Sequence, residues 1–261
     1  MTVRASVTNL ADAATITAST SDAAYPASNL GTPEEPDNPA KTTVSTDSWW
    51  LIDHGSAKAV VAWGLLYSNF TSVKIQANAT DSWGAPSYDS GTITLATNPG
   101  QGRLCLFHRP ATQTYRYNRI WVPTQTPTDA AAGFRLGGVW ACSALTSAPR
   151  DFLWDPDIEE VEPFEDVFTV SERRQRLSLG AALFRMSGKI QGTTGATPML
   201  SDEIASWHTF ERAWKDADIA LISFSDDHPN WVGVMRDLSP IKWTIRAGLS
   251  ERDFEWEEVA G

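Results

Sequence analysis

Residues 49–67 read WWLIDHGSAKAVVAWGLLY and give the clearest indication of the fold. Trp49–Asp53 and Ala59–Tyr67 are apolar runs of strand length, and neither repeats at helical spacing. Between them, Asp53-His54-Gly55 ends the first run at a turn that glycine tolerates most easily. The second run is apolar enough to be the central strand of a sandwich. This stretch therefore predicts two strands of an all-β domain.

Short β-like runs also surround this stretch and continue to about residue 145. They are separated by loops rich in Pro and Gly, such as 31–39, 83–86, 98–102 and 123–127. No amphipathic helix of three turns occurs among them, so we expect a β-sandwich over residues 1–148. The further predicted strands are Ala14–Ser19, Ser72–Ala77, Gly91–Leu95, Arg103–His108, Thr114–Val122 and Phe134–Ala141.

The composition changes after residue 148. Residues 149–166 include eight acids and two prolines from Asp151 onward, which favours a solvated connecting segment. Its interleaved aromatic residues leave open a segment that lies along a neighbouring surface. We expect residues 167–261 to form a smaller α+β domain, a curled sheet or split barrel with one helix. The predicted strands there are Val167–Ser171, Arg176–Leu183, Phe184–Gln191, Ile219–Ser225, Trp231–Arg236, Ile241–Arg246 and Glu251–Val259.

Two features of this second domain are specific enough to test. Ser201 is a candidate N-cap for a helix whose apolar face carries Trp207 and Trp214. In the last strand, Phe254 and Trp256 alternate with acids, which is typical of a solvated edge strand.

Charge and cysteine content exclude several classes of function. The net charge is −11, and residues 1–150 are neutral with 10 basic and 10 acidic residues, so the whole excess lies in residues 151–261. Such a field repels phosphate backbones, and we expect no nucleic-acid binding. No apolar stretch approaches the length of a membrane helix, and we expect no membrane insertion. Cys105 and Cys142 lack metal-site spacing, and we interpret them as buried free thiols.

Catalytic motifs are missing from the sequence. It contains no GxSxG elbow, GxGxxG fingerprint, Walker loop or HExxH pattern. Asp226-Asp227-His228 could ligate a cation in principle, but the sequence Asp-Asp-His-Pro-Asn is more simply a turn. We therefore predict no catalytic residue, no cofactor, no metal and no enzymatic activity. The four histidines are His54, His108, His208 and His228.

Exposed tryptophans on sandwich loops can stack on sugars, and three tryptophans of this chain are candidates for that role. Trp49 and Trp50 lead directly into a strand, so at least one ring must point into the sandwich. Trp83 lies in the turn 81–86 and is the better candidate for exposure. We name Trp83 as a possible glycan contact, against the alternative that it packs within its loop.

The order of motifs in the first domain resembles a known family. YPASNL at 25–30, WLIDHG at 50–55 and RYNRI at 116–120 are similar to the discoidin, or galactose-binding-like, jelly roll of bacteriophage tail proteins. His54 stands where that family usually has Leu. The resemblance covers about residues 20–142, and residues 150–261 are similar to the C-terminal parts of those proteins in organisation alone.

This resemblance implies a structural role in a virion. It would make the chain a non-enzymatic component of a long-tailed phage tail tip, the distal tail or baseplate ring. Its partners would be copies of itself in a trimeric or hexameric ring, together with tail tube and hub proteins. The first ten residues lack a signal-peptide layout, which fits assembly in the host cytoplasm. The alternative is a carbohydrate-binding adhesion module that contacts host surface glycans.

Overall fold

A computed structural model describes residues 4–32, 38–97 and 104–147 of the chain. Beyond these it describes residues 157–161, 164–168, 174–178, 183–191, 212, 219–223, 232–237, 244–246 and 249–258. Across these ranges, no helix has the length and apolar character needed to cross a membrane.

In the described residues up to 147, the regular structure consists of strands and one short 3-10 helix, Ala27–Gly31. Each of the eight strands predicted in this part overlaps an observed one, and several short strands join them. The observed strands are β1 (Arg4–Ser6), β2 (Thr15–Ala18), β3 (Ala40–Lys41), β4 (Ser48–Val60), β5 (Ala62–Ser68), β6 (Ser72–Asn78), β7 (Tyr88–Asp89), β8 (Ile93–Thr94), β9 (Ala96–Thr97), β10 (Leu104–His108), β11 (Gln113–Val122), β12 (Arg135–Leu136), β13 (Gly138–Cys142) and β14 (Thr146–Ser147).

Two antiparallel sheets face each other in this part and form a β-sandwich, which confirms the predicted fold class. The outer sheet has the order β2-β4-β11-β6-β7, and the inner sheet has the order β13-β5-β10-β9. Trp50, Ile52 and Ile120 of the outer sheet share one buried core with Trp63 and Leu65 of the inner sheet. Because side chains alternate between the faces of a strand, the other face of each sheet is left for further contacts.

Strand β4 is longer than the sequence predicts, since it continues through Gly55. Gly55 has φ +72°, an angle that glycine adopts at little cost, and its N–H donates to Oδ1 of Asp53 at 2.8 Å. The register between β4 and β11 shifts opposite this point, between Tyr115 and Tyr117. The Asp-His-Gly motif therefore bends the strand at an irregularity instead of ending it.

In the second part of the chain, β-structure begins earlier than predicted. Two strands begin within the acidic segment 149–166, and they pair with later strands of this part. The predicted helix lies outside the described residues except for Arg212, which is helical. The strands are β15 (Asp157–Val161), β16 (Phe164–Phe168), β17 (Arg174–Ser178), β18 (Leu183–Gln191), β19 (Ala220–Ser223), β20 (Val232–Asp237), β21 (Thr244–Arg246) and β22 (Leu249–Glu258).

The expectation that the last strand is an edge strand is wrong. Strand β22 pairs with β18 along one side, and with β20 and β21 along the other. Alternating polar and apolar residues indicate one exposed face, but they do not reveal whether the backbone of a strand is paired on both sides.

A third layer covers the second face of the inner sheet. The hairpin β19–β20 packs Leu221 and Val234 against Leu66, Phe107 and Trp140 in a second buried core. Strand β1 pairs with both β14 and β19, so an eight-stranded sheet joins the start of the chain to its second part. Hydrogen bonds and apolar contacts thus cross the predicted boundary at residue 148, and the division into domains stays a prediction.

Candidate functional site

Trp83 lies in the turn between β6 and β7 and is half-buried. Its indole Nε1 donates a hydrogen bond to Oδ1 of Asp81 at 2.7 Å. The guanidinium of Arg119 lies over its ring, 4.4 Å from the centroid. Two groups of the same chain therefore engage this side chain, and one face of the ring is occupied. A contact between Trp83 and a glycan stays a prediction.

Hydrogen bonds fix the guanidinium that covers Trp83. Nε of Arg119 donates to Oε1 of Gln76 at 2.9 Å, and Nη2 donates to the same oxygen. Nε2 of Gln76 in turn donates to Oδ2 of Asp89 at 2.6 Å. These polar contacts link β11 to β6 and β7, so Arg119 and Gln76 have a structural role.

The exposed face of the outer sheet carries several aromatic rings next to cations. Trp50 is fully buried, as the sequence predicts for at least one of the pair 49–50, whereas Trp49 is half-buried. Across the sheet from Trp49, the ring of Trp121 lies 4.9 Å from Nζ of Lys74. Because Lys74 already contacts the ring of Trp121, less of that aromatic surface is left for a ligand.

A cleft of about 360 Å³ opens at the end of the sandwich where β2 and β11 end and β4 begins. This volume lies within the range of small-molecule sites, roughly 300–1,000 Å³. Three loop segments meet there because the strands that they follow or precede are neighbours in the outer sheet. We call it the end cleft; the polar residues that line it are Asp22, Lys41, Thr42, Thr43, Asp129 and Arg135.

Asn69 holds the loop 128–135 that forms one wall of the end cleft. It is 1% exposed, and its Nδ2 donates to Oδ1 of Asp129 at 2.9 Å and to the carbonyl of Gly133 at 3.1 Å. Its Oδ1 accepts the backbone N–H of Arg135 at 2.7 Å. A buried amide with its groups satisfied in this way fixes the backbone around it.

The loop also approaches the second wall very closely at Gly133. A Cβ atom at this position would lie 1.9 Å from the carbonyl oxygen of Thr42, so only glycine fits. The hydroxyl of Thr42 accepts the N–H of Phe134 at 2.8 Å and donates to the carbonyl of Val44 at 2.7 Å. In the same loop, Ala130 has φ +54°, which is uncommon for a residue other than glycine and is typical of functional loops.

Charged side chains of both signs line the end cleft. Nη2 of Arg135 lies 3.0 Å from Oδ2 of Asp129. Although burial raises the pKa of the Asp129 carboxyl, hydrogen bonds from Asn69 and Ala131 and the charge of Arg135 hold it below its usual value. The Asp129 carboxylate is therefore ionised at neutral pH and is engaged by its own loop.

Two of the four histidines, His54 and His108, form polar contacts within the protein. Nδ1 of His54 donates to the carbonyl of Leu10 at 3.3 Å, and Nε2 of His108 lies 3.1 Å from the hydroxyl of Tyr88. Burial lowers the pKa of both imidazoles, so both are neutral near pH 7. Neither lies among the residues that line the end cleft.

The remaining chemical candidates divide into two groups. Cys105 and Cys142 are buried cysteines outside any disulfide, as predicted, and burial raises the pKa of Cys142 to about 12. Among the residues that the structure describes, no three His, Cys, Asp or Glu side chains are grouped as metal ligands would be. The predicted turn at Asp226-Asp227-His228 and the residue His208 lie outside the described residues.

The sequence interpretation missed the end cleft. Its walls come from segments about 20 and 90 residues apart in the chain, and only the sheet topology brings them together. Weak signals were present, since Asn69 lies just after the predicted strand Ala59–Tyr67 and Gly133 belongs to a short run of small residues.

No protein-family model and no curated protein matches the chain. Among solved structures it is similar to a mutant of chitosan-binding module 1 from a chitosanase/glucanase of Paenibacillus sp. IK-5, with 22% identity over 51% of this chain and 97% of the module, at a TM-score of 0.39. A fucose-binding module of Streptococcus pneumoniae is 13% identical over 52% of this chain and 96% of its own, at a TM-score of 0.42. The lectin domain of lectinolysin, in complex with Lewis B antigen, is 11% identical over 52% and 97%, at a TM-score of 0.41.

Proposed function

We propose that this chain binds a carbohydrate in the end cleft and catalyses no reaction. The observation that carries the proposal is the convergence of charged and hydroxyl side chains in one cleft. The hydrogen bonds of Asn69 and Thr42 hold the loops of this cleft in place. Sugar hydroxyls both donate and accept hydrogen bonds, so a site with both kinds of partner matches their chemistry. Loops positioned by a rigid sandwich are a common place for such binding residues.

The carboxylates of the end cleft support binding over hydrolysis. Glycoside hydrolysis typically needs two carboxyl groups, one of them kept protonated by a raised pKa. The cleft offers Asp22 and Asp129, and the pKa of Asp129 is lowered. An acid that holds a proton at neutral pH is therefore not available from Asp129.

A glycan array followed by calorimetry on the full chain tests this proposal. We expect Lys41→Ala and Asp22→Ala each to weaken binding of the best array ligand at least tenfold. Lys58→Ala is the matched control, because this exposed lysine lies near the far end of β4 and should leave affinity unchanged. Loss of binding in Trp83→Ala with full binding in Lys41→Ala would instead move the site to the outer sheet and contradict the end cleft.

The second candidate is the structural component of a phage tail that the motif order implies. The observation in its favour is the core shared by the inner sheet and the hairpin β19–β20, since a wall of an assembly needs a sandwich in fixed orientation. In that case the protein would be part of a virion assembled in the host cytoplasm, with copies of itself and tail proteins as partners. Light scattering over a concentration series should then give a defined trimer or hexamer, and a persistent monomer would count against self-assembly.

A further inference from the structure

The charges that line the end cleft cancel each other. Two acids, Asp22 and Asp129, face two bases, Lys41 and Arg135. Asp129 and Arg135 form an ion pair within one loop, with 3.0 Å between Oδ2 and Nη2. Asp129 also accepts the backbone N–H of Ala131 at 3.2 Å. This pair is neutral as a unit, and its acid is largely satisfied by the protein.

Asp22 and Lys41 are the charged groups left for a ligand. The N–H of Asp22 donates to the carbonyl of Lys41 at 3.0 Å, which holds the two residues next to each other. Oδ1 of Asp22 accepts the N–H of Ala24 at 2.9 Å, and among the described residues no group donates to its Oδ2. Nζ of Lys41 lies 3.3 Å from the centroid of the Tyr25 ring. Neither side chain forms an ion pair with another residue in the described parts of the chain.

A neighbouring acid and base of this kind suit a neutral ligand with adjacent hydroxyls. One hydroxyl donates to the Asp22 carboxylate while the next accepts from the Lys41 ammonium, which makes two charge-assisted hydrogen bonds. A ligand with a net charge is attracted by one of the two groups and repelled by the other, and it still loses its own hydration. Because Lys41 covers the ring of Tyr25, recognition rests on hydroxyl groups more than on stacking.

Building on the proposed carbohydrate function, we propose that the end cleft selects uncharged sugars with two neighbouring hydroxyls over anionic and cationic sugars. Asp22 and Lys41 set this choice through their opposite charges. The anionic class comprises uronates, and the cationic class comprises sugars with a free amino group.

Calorimetry on the full chain with matched monosaccharides tests this selectivity. The probes are methyl galactoside and methyl glucoside, the corresponding uronates, and the corresponding 2-amino-2-deoxy sugars. At pH 7 we expect the neutral member of the preferred ring series to bind at least tenfold more tightly than its charged relatives. Between low and high salt its Kd should change less than twofold, because screening has little effect on a neutral ligand.

Two substitutions that each remove one charge should shift the preference in opposite directions. Asp22→Asn leaves the cleft with one net positive charge, and we expect the uronate to gain at least fivefold relative to the neutral sugar. Lys41→Gln leaves one net negative charge, and we expect the amino sugar to gain by a similar factor. Lys58→Gln changes the total charge of the protein as Lys41→Gln does, but it should leave the preference unchanged.

The outcomes separate this inference from the proposed function. Tighter binding of a uronate or amino sugar by the unmodified protein, with loss in Lys41→Ala, would overturn the neutral-sugar selectivity and keep carbohydrate binding in the end cleft. Equal changes in all probes after Asp22→Asn and Lys41→Gln would likewise overturn the charge-based selection. Absence of binding by every probe would count against the proposed function itself.

Discussion

The two sheets of the sandwich differ in what covers their second faces. Strands β5 and β13 of the inner sheet are buried on both faces, since all seven residues of β5 and all five of β13 are buried. The second face of this sheet is covered by Leu221 and its neighbours, and Gly64 makes room for them, since a Cβ there would lie 2.8 Å from Cδ2 of Leu221. The outer sheet has one buried face, and its other face carries polar groups and half-buried aromatics such as Trp49 and Trp121.

This difference explains why the two sheets have different sequence patterns. Strand β5 is an uninterrupted apolar run because both faces meet a core, whereas β11 alternates near its end, with Ile120 and Val122 buried and Trp121 half-buried. The shared core also makes the inner sheet the link between the two parts of the chain. The outer sheet, by contrast, has a free face, and its loops form the end cleft.

The largest effect is expected from removing the cover of the inner sheet. Leu221 is 1% exposed, and we expect Leu221→Ala to lower the free energy of unfolding by about 2–5 kcal/mol, as for other buried leucines. Leu65→Ala, in the core between the sheets, should have a similar effect. Urea unfolding followed by tryptophan fluorescence measures both.

Two controls decide whether the hairpin is part of the fold. Thr17→Ala on the exposed side of the outer sheet should change stability by less than about 0.5 kcal/mol. Gly64→Ala tests the contact with Leu221 from the inner sheet. The loss of unfolding free energy that it causes should be smaller when Leu221 is also changed to Ala. If Leu221→Ala left the unfolding midpoint unchanged, the hairpin would be independent of the sandwich.

The sequence predicted the strands of the sandwich well because their patterns are local. The apolar runs on either side of Gly55 identified the first part of β4 and most of β5, and one buried ring of the pair 49–50 followed from alternation. The pairing of β1 with β19 could not be predicted, since it joins Ala5 to Ile222, two residues that are far apart in the sequence. In addition, β1 has only three residues, too few to show a periodic pattern. The position of β22 inside its sheet depends in the same way on partners distant in the sequence.

The end cleft was harder to predict than the fold. Asp22 lies in the loop after β2, whereas Lys41 ends the short strand β3. The geometry of the cleft also depends on Asn69, which in the sequence is a single polar residue just after a predicted strand. The close approach at Gly133 could not be predicted from the sequence either, because the neighbouring atom is the carbonyl oxygen of Thr42, about 90 residues away in the chain. Trp83 stood out as an aromatic residue in a turn, but the sequence does not show that Arg119 covers it.

The smallest effect is expected from the exposed face of the outer sheet. Nε and Nη2 of Arg116 donate to the two carboxylate oxygens of Asp53 at 2.7 and 2.8 Å, but the side chains are 42% and 25% exposed. Water screens such a pair, so Asp53→Asn should cost far less stability than Leu221→Ala. The Asn side chain can still accept the N–H of Gly55, which keeps the bend in β4 and isolates the charge.

The pH dependence of stability in Asp53→Asn tests the sign of the contribution that the Arg116–Asp53 pair makes. The hydrogen bond from Arg116 holds the pKa of Asp53 below its usual value, although burial opposes it. A lowered pKa in the folded state means that the pair stabilises the protein above the unfolded-state pKa, near 4, and that this stabilisation is lost as the pH falls through the folded-state pKa. The unmodified protein and Asp53→Asn should therefore differ slightly at pH 7 and converge in acid. A difference that grew in acid would mean that folding raises the pKa of Asp53, contrary to the ion pair with Arg116. A difference that matched Leu221→Ala in size would mean that the outer face is as tightly coupled to the fold as the inner sheet.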